Sequence, residues 1–319
     1  MARRKSRETK IQPATKTMFF EVKAPGPEGT SINYIDLSQC ASLVNRRFYR
    51  QGLNWAVGGF TIHTAPNTSG TVTIMKAQDT WIVSNAWHKS FAMWNRMNDQ
   101  VLDALPSIKS KYHDFKVALD SDHISAGSPV FTNNLLPYTE DSAGNRTEYN
   151  YGANGEWERS LIEIPNDAVP GTTTGYALKI HGPDIASAKA IVEGYANSRS
   201  VPQSPDPTNQ SIFTVPTSWM NEIMNVGDNT DEIATNLMNI NDKLPYNQLE
   251  YPGGATQAPD AQVHTIQKIS TTTVGGKTFA SGGNFQCGLV KITSDIQFVL
   301  QIDLVPGTHR GYLCEPIRS

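Results

Sequence analysis

The residues of this chain that could do chemistry include two groups of basic side chains. The first lies in residues 1–16, where Glu8 is the single acid among the basic residues Arg3, Arg4, Lys5, Arg7, Lys10 and Lys16. This segment carries a net charge of +5, whereas the whole 319-residue chain carries −3, which leaves −8 for the remainder. A short basic tail on an acidic body is typical of a segment that contacts nucleic acid or an import receptor. A solvated terminus without a function is the alternative.

The second basic group is a run of six residues in which three arginines surround two aromatic rings: Asn45, Arg46, Arg47, Phe48, Tyr49 and Arg50. Guanidinium groups bind phosphates and aromatic rings stack on bases, so this combination suits contact with single-stranded nucleic acid. The alternative is a strand or turn whose arginines pair with acids on a neighbouring element.

The sequence contains none of the motifs that mark the common enzyme active sites. Neither a G-x-S-x-G elbow nor an H-E-x-x-H helix occurs, and the seven histidines show no ligand spacing. Val274–Thr278 is similar to the end of a phosphate-binding P-loop, but Thr271 stands where that motif needs a glycine, so a hairpin turn is the better interpretation. Asp120 and Asp122 could bind a cation, although a turn after a strand explains them better. We therefore expect no enzymatic activity, no metal and no cofactor.

The composition indicates a folded, soluble chain made inside a cell. Hydrophobic residues make up 38% and charged residues 18% of the sequence, which excludes a typical disordered chain. The apolar runs are far shorter than the roughly 18–20 residues that cross a bilayer, so we expect no membrane partner. The basic start has no apolar segment behind it, as a secretory signal would, and the three scattered cysteines predict reduced thiols.

Short β-like segments separated by turns follow residue 16. Period-two alternation, abundant threonine and Gly, Pro and Asn breaks predict strands at 17–23, 31–37, 53–63, 71–76, 115–120, 157–164, 175–181, 262–274, 285–293 and 296–305. The pair Gly58–Gly59 predicts a bulge or a sharp bend in the third of these. Many short strands with such punctuation favour a β-sandwich or barrel.

Two segments have helical periodicity instead. Apolar residues spaced by three or four predict a helix that ends at Pro106, with the stripe Val83, Trp87, Phe91, Trp94, Met97, Val101 and Leu105. A second helix is predicted from an N-cap at Asn229 to Pro245. We interpret the aromatic stripe of the first helix as core rather than as a base-stacking platform.

Seven segments stand in an order that resembles a known family of viral proteins. They are VSNAWHKSFAMW (83–94), KYHDFKVALD (111–120), GEWERS (155–160), YANSR (195–199), LPY (244–246), YPGG (251–254) and FQCGLVKI (285–292). Together they resemble the capsid proteins of small circular Rep-encoding single-stranded DNA (CRESS-DNA) viruses, in particular the environmental and aquatic ones. The resemblance covers most of residues 17–305.

The resemblance implies an all-β fold, an eight-stranded viral jelly roll (a β-sandwich) with long loops and one or two inserted helices. Residues 1–16 would be a basic N-terminal arm and residues 17–319 the jelly-roll capsid domain. Copies of the chain, commonly about sixty, would assemble into an icosahedral (T=1) shell around a circular single-stranded DNA genome. The chain would therefore reside in the virion, with the host cell nucleus as a further location during assembly, and would meet a host receptor of unknown identity.

The resemblance and the basic groups together predict non-specific phosphate contacts by Arg3, Arg4, Lys5, Arg7, Lys10, Arg46, Arg47 and Arg50. Circovirus-like relatives carry a long arginine-rich arm, whereas the arm here is short. About sixty arms would supply on the order of 300 positive charges against more than ~1000 phosphates of a genome. The arm alone therefore cannot neutralise the DNA, and either the inner wall adds arginines or mobile counterions fill the difference.

Two other classes of function remain open. A non-viral β-sandwich module could bind a carbohydrate or another ligand with its long loops. A jelly-roll enzyme of the cupin type would need a His/Glu metal cluster, which the sequence does not offer. The native mass separates a shell of many copies from both alternatives.

Overall fold

The computed structural model of the chain describes residues 13–26, 29–104, 114–124, 131–149, 157–165, 171–200, 220 and 254–317. Within these ranges the α-helices are α1 (Leu37–Asn45), α2 (Trp81–Ala104) and α3 (Ile191–Ser200). The strands are β1 (Thr17–Val22), β2 (Ser31–Asp36), β3 (Leu53–His63), β4 (Gly70–Lys76), β5 (Tyr138–Glu140), β6 (Arg146–Glu148), β7 (Leu161–Pro165), β8 (Thr173–Lys179), β9 (Ala188–Ala190), β10 (Gln262–Ile269), β11 (Lys277–Gln286), β12 (Leu289–Ser294), β13 (Phe298–Leu304), β14 (Pro306–Gly307), β15 (Gly311–Tyr312) and β16 (Cys314–Pro316). None of the helices described is long and apolar enough to cross a membrane.

Two antiparallel sheets share the main hydrophobic core. The first has the strand order β11-β3-β13-β1-β5-β6, with β16 also paired to β3, and the second has the order β10-β4-β12-β2. Alternate side chains of both sheets are buried in one cluster, which includes Phe20, Phe60 and Leu300 from the first sheet and Ile74 and Ile292 from the second. The protein is thus mainly β, and its packing is consistent with a β-sandwich.

Strand β3 confirms both its predicted bounds and the bulge predicted at Gly58–Gly59. Its bounds are those expected from the alternation, and Gly59 pairs with Asp303 while Val57 pairs with Leu304, so Gly58 has no partner on β13. This extra residue is a β-bulge. Gly282 on β11 crosses the same point, where an added Cβ would lie 2.1 Å from the Val57 carbonyl oxygen. Strand β11 therefore needs glycine where it lies opposite the bulge of β3.

Two turns differ from the sequence prediction. The segment 285–293 is not one strand, because Cys287 and Gly288 have φ angles of 56° and 68° and end β11 before β12 begins. The glycine pair at 275–276 does not form a hairpin, since β10 pairs with β4 and β11 pairs with β3. In both places the chain crosses from one sheet to the other, and a local turn pattern does not distinguish a crossing from a hairpin.

The chain between β4 and β10 builds a second core. The small sheet β7-β8-β9 packs with α2 and α3 around a cluster that contains Trp87, Trp94, Leu178 and Ile191. Helix α2 confirms the predicted helix, and both tryptophans of its stripe are less than 10% exposed. The predicted strand at 115–120 runs extended beside β8, but its pairing is an isolated bridge between Ala118 and Lys179.

The expectation of one or two inserted helices is too low, because the described residues already contain three. Helix α1 follows β2 directly, since the Asp36 carboxylate accepts hydrogen bonds from the backbone N–H groups of Ser38 and Gln39 and caps the helix. Helix α3 contains Gly194 and begins with two β-branched residues, which weakens its sequence signal. The helix predicted from Asn229 lies outside the described residues.

Candidate nucleic-acid interface

The basic arm joins the folded body at a defined position. Its five predicted contact residues lie outside the described residues: Arg3, Arg4, Lys5, Arg7 and Lys10. The backbone N–H of Thr15 donates a hydrogen bond to Asn45 Oδ1 (3.0 Å), and the Tyr312 hydroxyl donates to the Thr15 carbonyl (2.6 Å). Asn45 Nδ2 in turn donates to the Tyr312 hydroxyl (2.7 Å). The arm therefore leaves the body at the last residue of α1.

The end of α1 places two of the predicted arginines beside the arm. Arg46 has φ 52° and ψ 41°, a left-handed conformation that stops the helix, and its N–H caps the Ser42 carbonyl. Arg46 and Arg47 are exposed, and Lys16 lies 4.7 Å above the ring of Tyr312. We call the set Thr15, Lys16, Asn45, Arg46 and Arg47 the arm root. Arm and arginines thus share one region of the surface.

The two aromatic rings of the 45–50 run face opposite ways. Phe48 is 45% exposed, as a stacking ring requires, but Tyr49 is only 1% exposed. The Tyr49 hydroxyl donates to the Arg310 carbonyl (2.9 Å), and its ring packs edge-on against Tyr312 at 5.6 Å. The prediction that both rings are available to bases is therefore wrong for Tyr49, which belongs to the core.

Arg50 lies at a different site from Arg46 and Arg47. It lines a cleft of ≈ 490 Å³ that brings together the segment after α1, the aromatic face of α2 and the turn before β15. We call this the aromatic cleft, and its walls are Phe48, Arg50, Gln51, Leu53, Trp87, Phe91, Phe115, His309 and Arg310. Gly52 has φ +94°, and an added Cβ would lie 2.3 Å from the Trp87 ring, so only glycine lets the chain pass this wall.

Arg310 and His309 complete the cleft, and sequence reasoning did not identify them. Arg310 has φ 49° and donates a hydrogen bond to the carbonyl of Phe48, while its guanidinium lies 6.0 Å from the Tyr49 ring. Burial and the neighbouring Arg310 lower the pKa of His309, which favours the neutral imidazole. No local pattern signals these residues, because they stand about 260 positions away from Arg50 and reach it only in the folded chain.

A buried carboxylate holds the segment that carries Phe48 and Arg50. Asp36 Oδ2 accepts hydrogen bonds from Trp157 Nε1 (2.9 Å) and Gln51 Nε2 (3.2 Å), and Gln51 Oε1 accepts from the Val117 N–H (2.7 Å). Burial raises the pKa of Asp36 to about 6, and it outweighs the opposing effect of the Trp157 indole, the Gln39 and Ser38 N–H groups and Lys116. Both polar atoms of the Gln51 side-chain amide are thus hydrogen-bonded, which fixes the position of Gln51 in the wall of the aromatic cleft.

The remaining predicted polar sites have structural partners. Lys291 Nζ pairs with Asp120 (2.7 Å) and Asp122 (3.0 Å), so these two carboxylates, which could have bound a cation, hold a lysine instead. In the part of the chain that the structure describes, no group of three or more His, Cys, Asp or Glu residues is arranged to hold a metal. Cys40, Cys287 and Cys314 are free thiols.

The comparisons with known proteins identify no relative. No protein-family model, curated protein or solved structure matches this chain. The functional conclusion therefore depends on the resemblance of the seven segments, the arm root and the order of the strands.

Proposed function

We propose that this chain is a viral capsid protein that assembles into an icosahedral shell and packages circular single-stranded DNA by non-specific phosphate contacts. Its place would be the virion, with the host cell nucleus as a further location during assembly. The proposal combines the resemblance of the seven segments with the fold and with the position of the arm.

The strand order supports a jelly roll as the fold. When the strands of the two-sheet body other than β5, β6 and β16 are counted in chain order, the first sheet reads 6-3-8-1 and the second reads 5-4-7-2. Such alternation between two four-stranded sheets is the double Greek key of a jelly roll, a fold that viral capsid proteins share with some lectins and with cupins. The insertion between β4 and β10 would then be one long loop of the jelly roll, and the strands β5 and β6 would extend one sheet at its edge.

The position of the arm root is the observation that carries the capsid interpretation. Thr15 is hydrogen-bonded to Asn45, the residue before Arg46 and Arg47, so the charges of the arm begin where these exposed arginines stand. In a closed shell, an arm that enters the interior would bring both groups against the same DNA. Phosphate contacts from the wall would then add to the short arm, which by itself carries too little charge.

The mass of the purified full-length chain tests this proposal. A shell of about sixty 35.0 kDa chains has a mass of about 2 MDa, and light scattering with negative-stain imaging should show closed particles of that size. The ratio of absorbance at 260 and 280 nm should reveal nucleic acid, which should disappear when the particles are opened at high salt and treated with nuclease. A monomer or small oligomer would contradict the proposal and favour a β-sandwich ligand-binding module.

A further inference from the structure

We propose that the aromatic cleft binds one unstacked nucleobase of a single strand together with its phosphate. This inference rests on the proposed function, because it names a second and different mode of DNA contact beside the arm root. The arm root would contact phosphates alone, whereas the cleft would also hold a base.

The cleft has the size and the surface for a base. Its volume of ≈ 490 Å³ lies within the range of roughly 300–1,000 Å³ of small-molecule sites. Phe48 provides an exposed ring, supported from the side by Trp157, whose ring centroid is 6.1 Å away. Proteins that bind single strands stack bases on exposed aromatic side chains, and stacking tolerates any base because every base has a π-face.

The opposite wall is rigid and apolar. Trp87 and Phe91 lie nearly parallel, with their centroids 5.2 Å apart and an angle of 17° between the rings. Phe115 packs against both rings at less than 6 Å. Trp87 is buried in the second core and fixes Phe91, which is half-buried and lines the cleft. The interpretation of the helical stripe as core therefore holds for its tryptophans, while Phe91 contributes a surface.

Two guanidinium groups distinguish this cleft from a site for a neutral ligand. Arg50 and Arg310 are exposed, and the Arg50 side chain has no hydrogen bond or ion pair to any residue in the described part of the chain. Arg310 uses one nitrogen for the Phe48 carbonyl and keeps further N–H groups for a ligand. Arginine forks match the geometry of phosphate. A ligand that joins a planar group to an anion, as a nucleotide does, fits these rings and guanidinium groups. A neutral carbohydrate offers no anion for the two arginines.

The test compares oligonucleotides with and without bases. The affinities of the full-length chain for a ten-nucleotide oligo(dT), for an abasic strand of the same length and for thymidine monophosphate are measured by fluorescence anisotropy or calorimetry. We expect oligo(dT) to bind about 5- to 100-fold more tightly than the abasic strand, as one stacked base provides. Binding by thymidine monophosphate would show that the cleft accepts a free nucleotide as well as a strand.

Phe48→Ala and Phe279→Ala are the matched variants. Phe279 is 71% exposed and pairs with Thr61, eight residues along β3 from Leu53 at the cleft, so it offers an equal ring far from the site. Phe48→Ala should remove the preference for oligo(dT) and leave the abasic affinity unchanged, whereas Phe279→Ala should keep both. Arg50→Ala should weaken both strands, because it removes a phosphate contact. Thermal melting checks that each variant is folded.

Each failure has its own signature. Equal affinity of the wild-type chain for both strands, or an undiminished preference in folded Phe48→Ala, overturns the cleft proposal even if particles of about 2 MDa form. Absence of binding to both strands also overturns it. The proposed capsid function fails separately, when light scattering shows a small oligomer regardless of how the oligonucleotides bind.

Discussion

The indole N–H of Trp157 donates a 2.9 Å hydrogen bond to the carboxylate of Asp36, which is completely buried. This bond joins residues 121 positions apart and connects the insertion between β4 and β10 to the cap of α1. Lys116 lies 4.4 Å above the ring of the same tryptophan. The carboxylate therefore organises three segments around the DNA site that we propose, and its ionisation should affect stability.

Trp157→Phe should destabilise the protein more at pH 8 than at pH 5. The pKa of Asp36 is raised to about 6, so the carboxylate is charged at pH 8, and a bond to a charged acceptor contributes about 1.5–3 kcal/mol. At pH 5 the protonated group depends less on this donor. Trp55→Phe is the control, because Trp55 is also buried and its Nε1 has no hydrogen-bond partner among the described residues. Urea unfolding at both pH values measures the difference, and an equal loss at pH 5 and pH 8 would contradict this account of Asp36.

Acid should destabilise the fold between pH 6.5 and pH 4. Burial lowers the pKa of His123 and of His181 to about 4, so the unfolded chain binds more protons in this interval and unfolding becomes easier as the pH falls. Over this interval each histidine lowers the free energy of unfolding by about 3 kcal/mol. The raised pKa of Asp36 acts in the opposite direction and offsets the effect of about one histidine. The free energy of unfolding, measured in urea across this interval, should therefore decrease with acid. A constant or increasing value would show that the imidazoles are not buried.

Trp87→Ala should lower the free energy of unfolding by about 3–5 kcal/mol, because it removes a ring that is 7% exposed from the second core. Phe279→Ala, at a position that is 71% exposed, should change it by less than about 0.5 kcal/mol. Denaturant unfolding of both variants makes the comparison. A small loss in Trp87→Ala would mean that the wall of the aromatic cleft is not anchored in the core.

Gly52→Ala should be more destabilising than Gly275→Ala. Both glycines have positive φ, +94° and +71°, so both substitutions carry the backbone cost of about 1 kcal/mol. The added methyl group of Gly52→Ala would also lie 2.3 Å from the Trp87 ring, whereas that of Gly275→Ala would meet nothing within 4 Å. Their melting temperatures should differ accordingly, and a shifted Trp87 fluorescence should accompany only the first. Equal melting temperatures would contradict the close approach.

The salt dependence of strand binding should report both basic groups. For single strands the log–log slope changes by about 0.7 per phosphate contact, so replacing Arg3, Arg4, Lys5 and Arg7 should flatten it by up to about 3. Replacing Arg46, Arg47 and Arg50 should flatten it by about 2 more. Lys268→Ala, at an exposed position on β10, serves as the control and should leave the slope unchanged. A slope that stays the same in both multiple variants would show that neither group contacts DNA.

Local patterns predicted the local features of this structure. The bounds of β3, the bulge at Gly58 and the helix around Trp87 all depend on the character of consecutive residues, which alternation and helical periodicity reveal. Thr17, by contrast, pairs with Asp303, and such a partner is fixed by the packing of the whole sheet. For this reason the turns at 275–276 and 287–288 could be recognised as turns but not as crossings between sheets.

Only part of the candidate site could be predicted from the sequence, because the site also depends on contacts between residues that are far apart in the chain. The arginines of the 45–50 run form a pattern, but the inward direction of Tyr49 follows from the left-handed Arg46 that ends α1. Nothing near Arg50 in the sequence indicates Arg310 or Phe91, because the aromatic cleft forms from four segments that lie far apart in the sequence. The sequence therefore indicates the arginines of the site, whereas the fold determines which aromatic side chains lie beside them.

The pairing of β1 with β13 has a consequence for how the protein is made. Because β1 lies between β13 and the short β5, its main partner is synthesised almost three hundred residues later, and the hydroxyl of Tyr312, which holds Thr15, arrives later still. Such a high contact order slows folding, and it leaves the apolar strand β1 without its main partner while the rest of the chain is synthesised. The charges of the arm stand directly before that strand and would keep nascent chains apart until β13 and Tyr312 emerge. The anchor of the arm thus forms only after Tyr312 has been synthesised, so a polypeptide interrupted before Tyr312 would lack it.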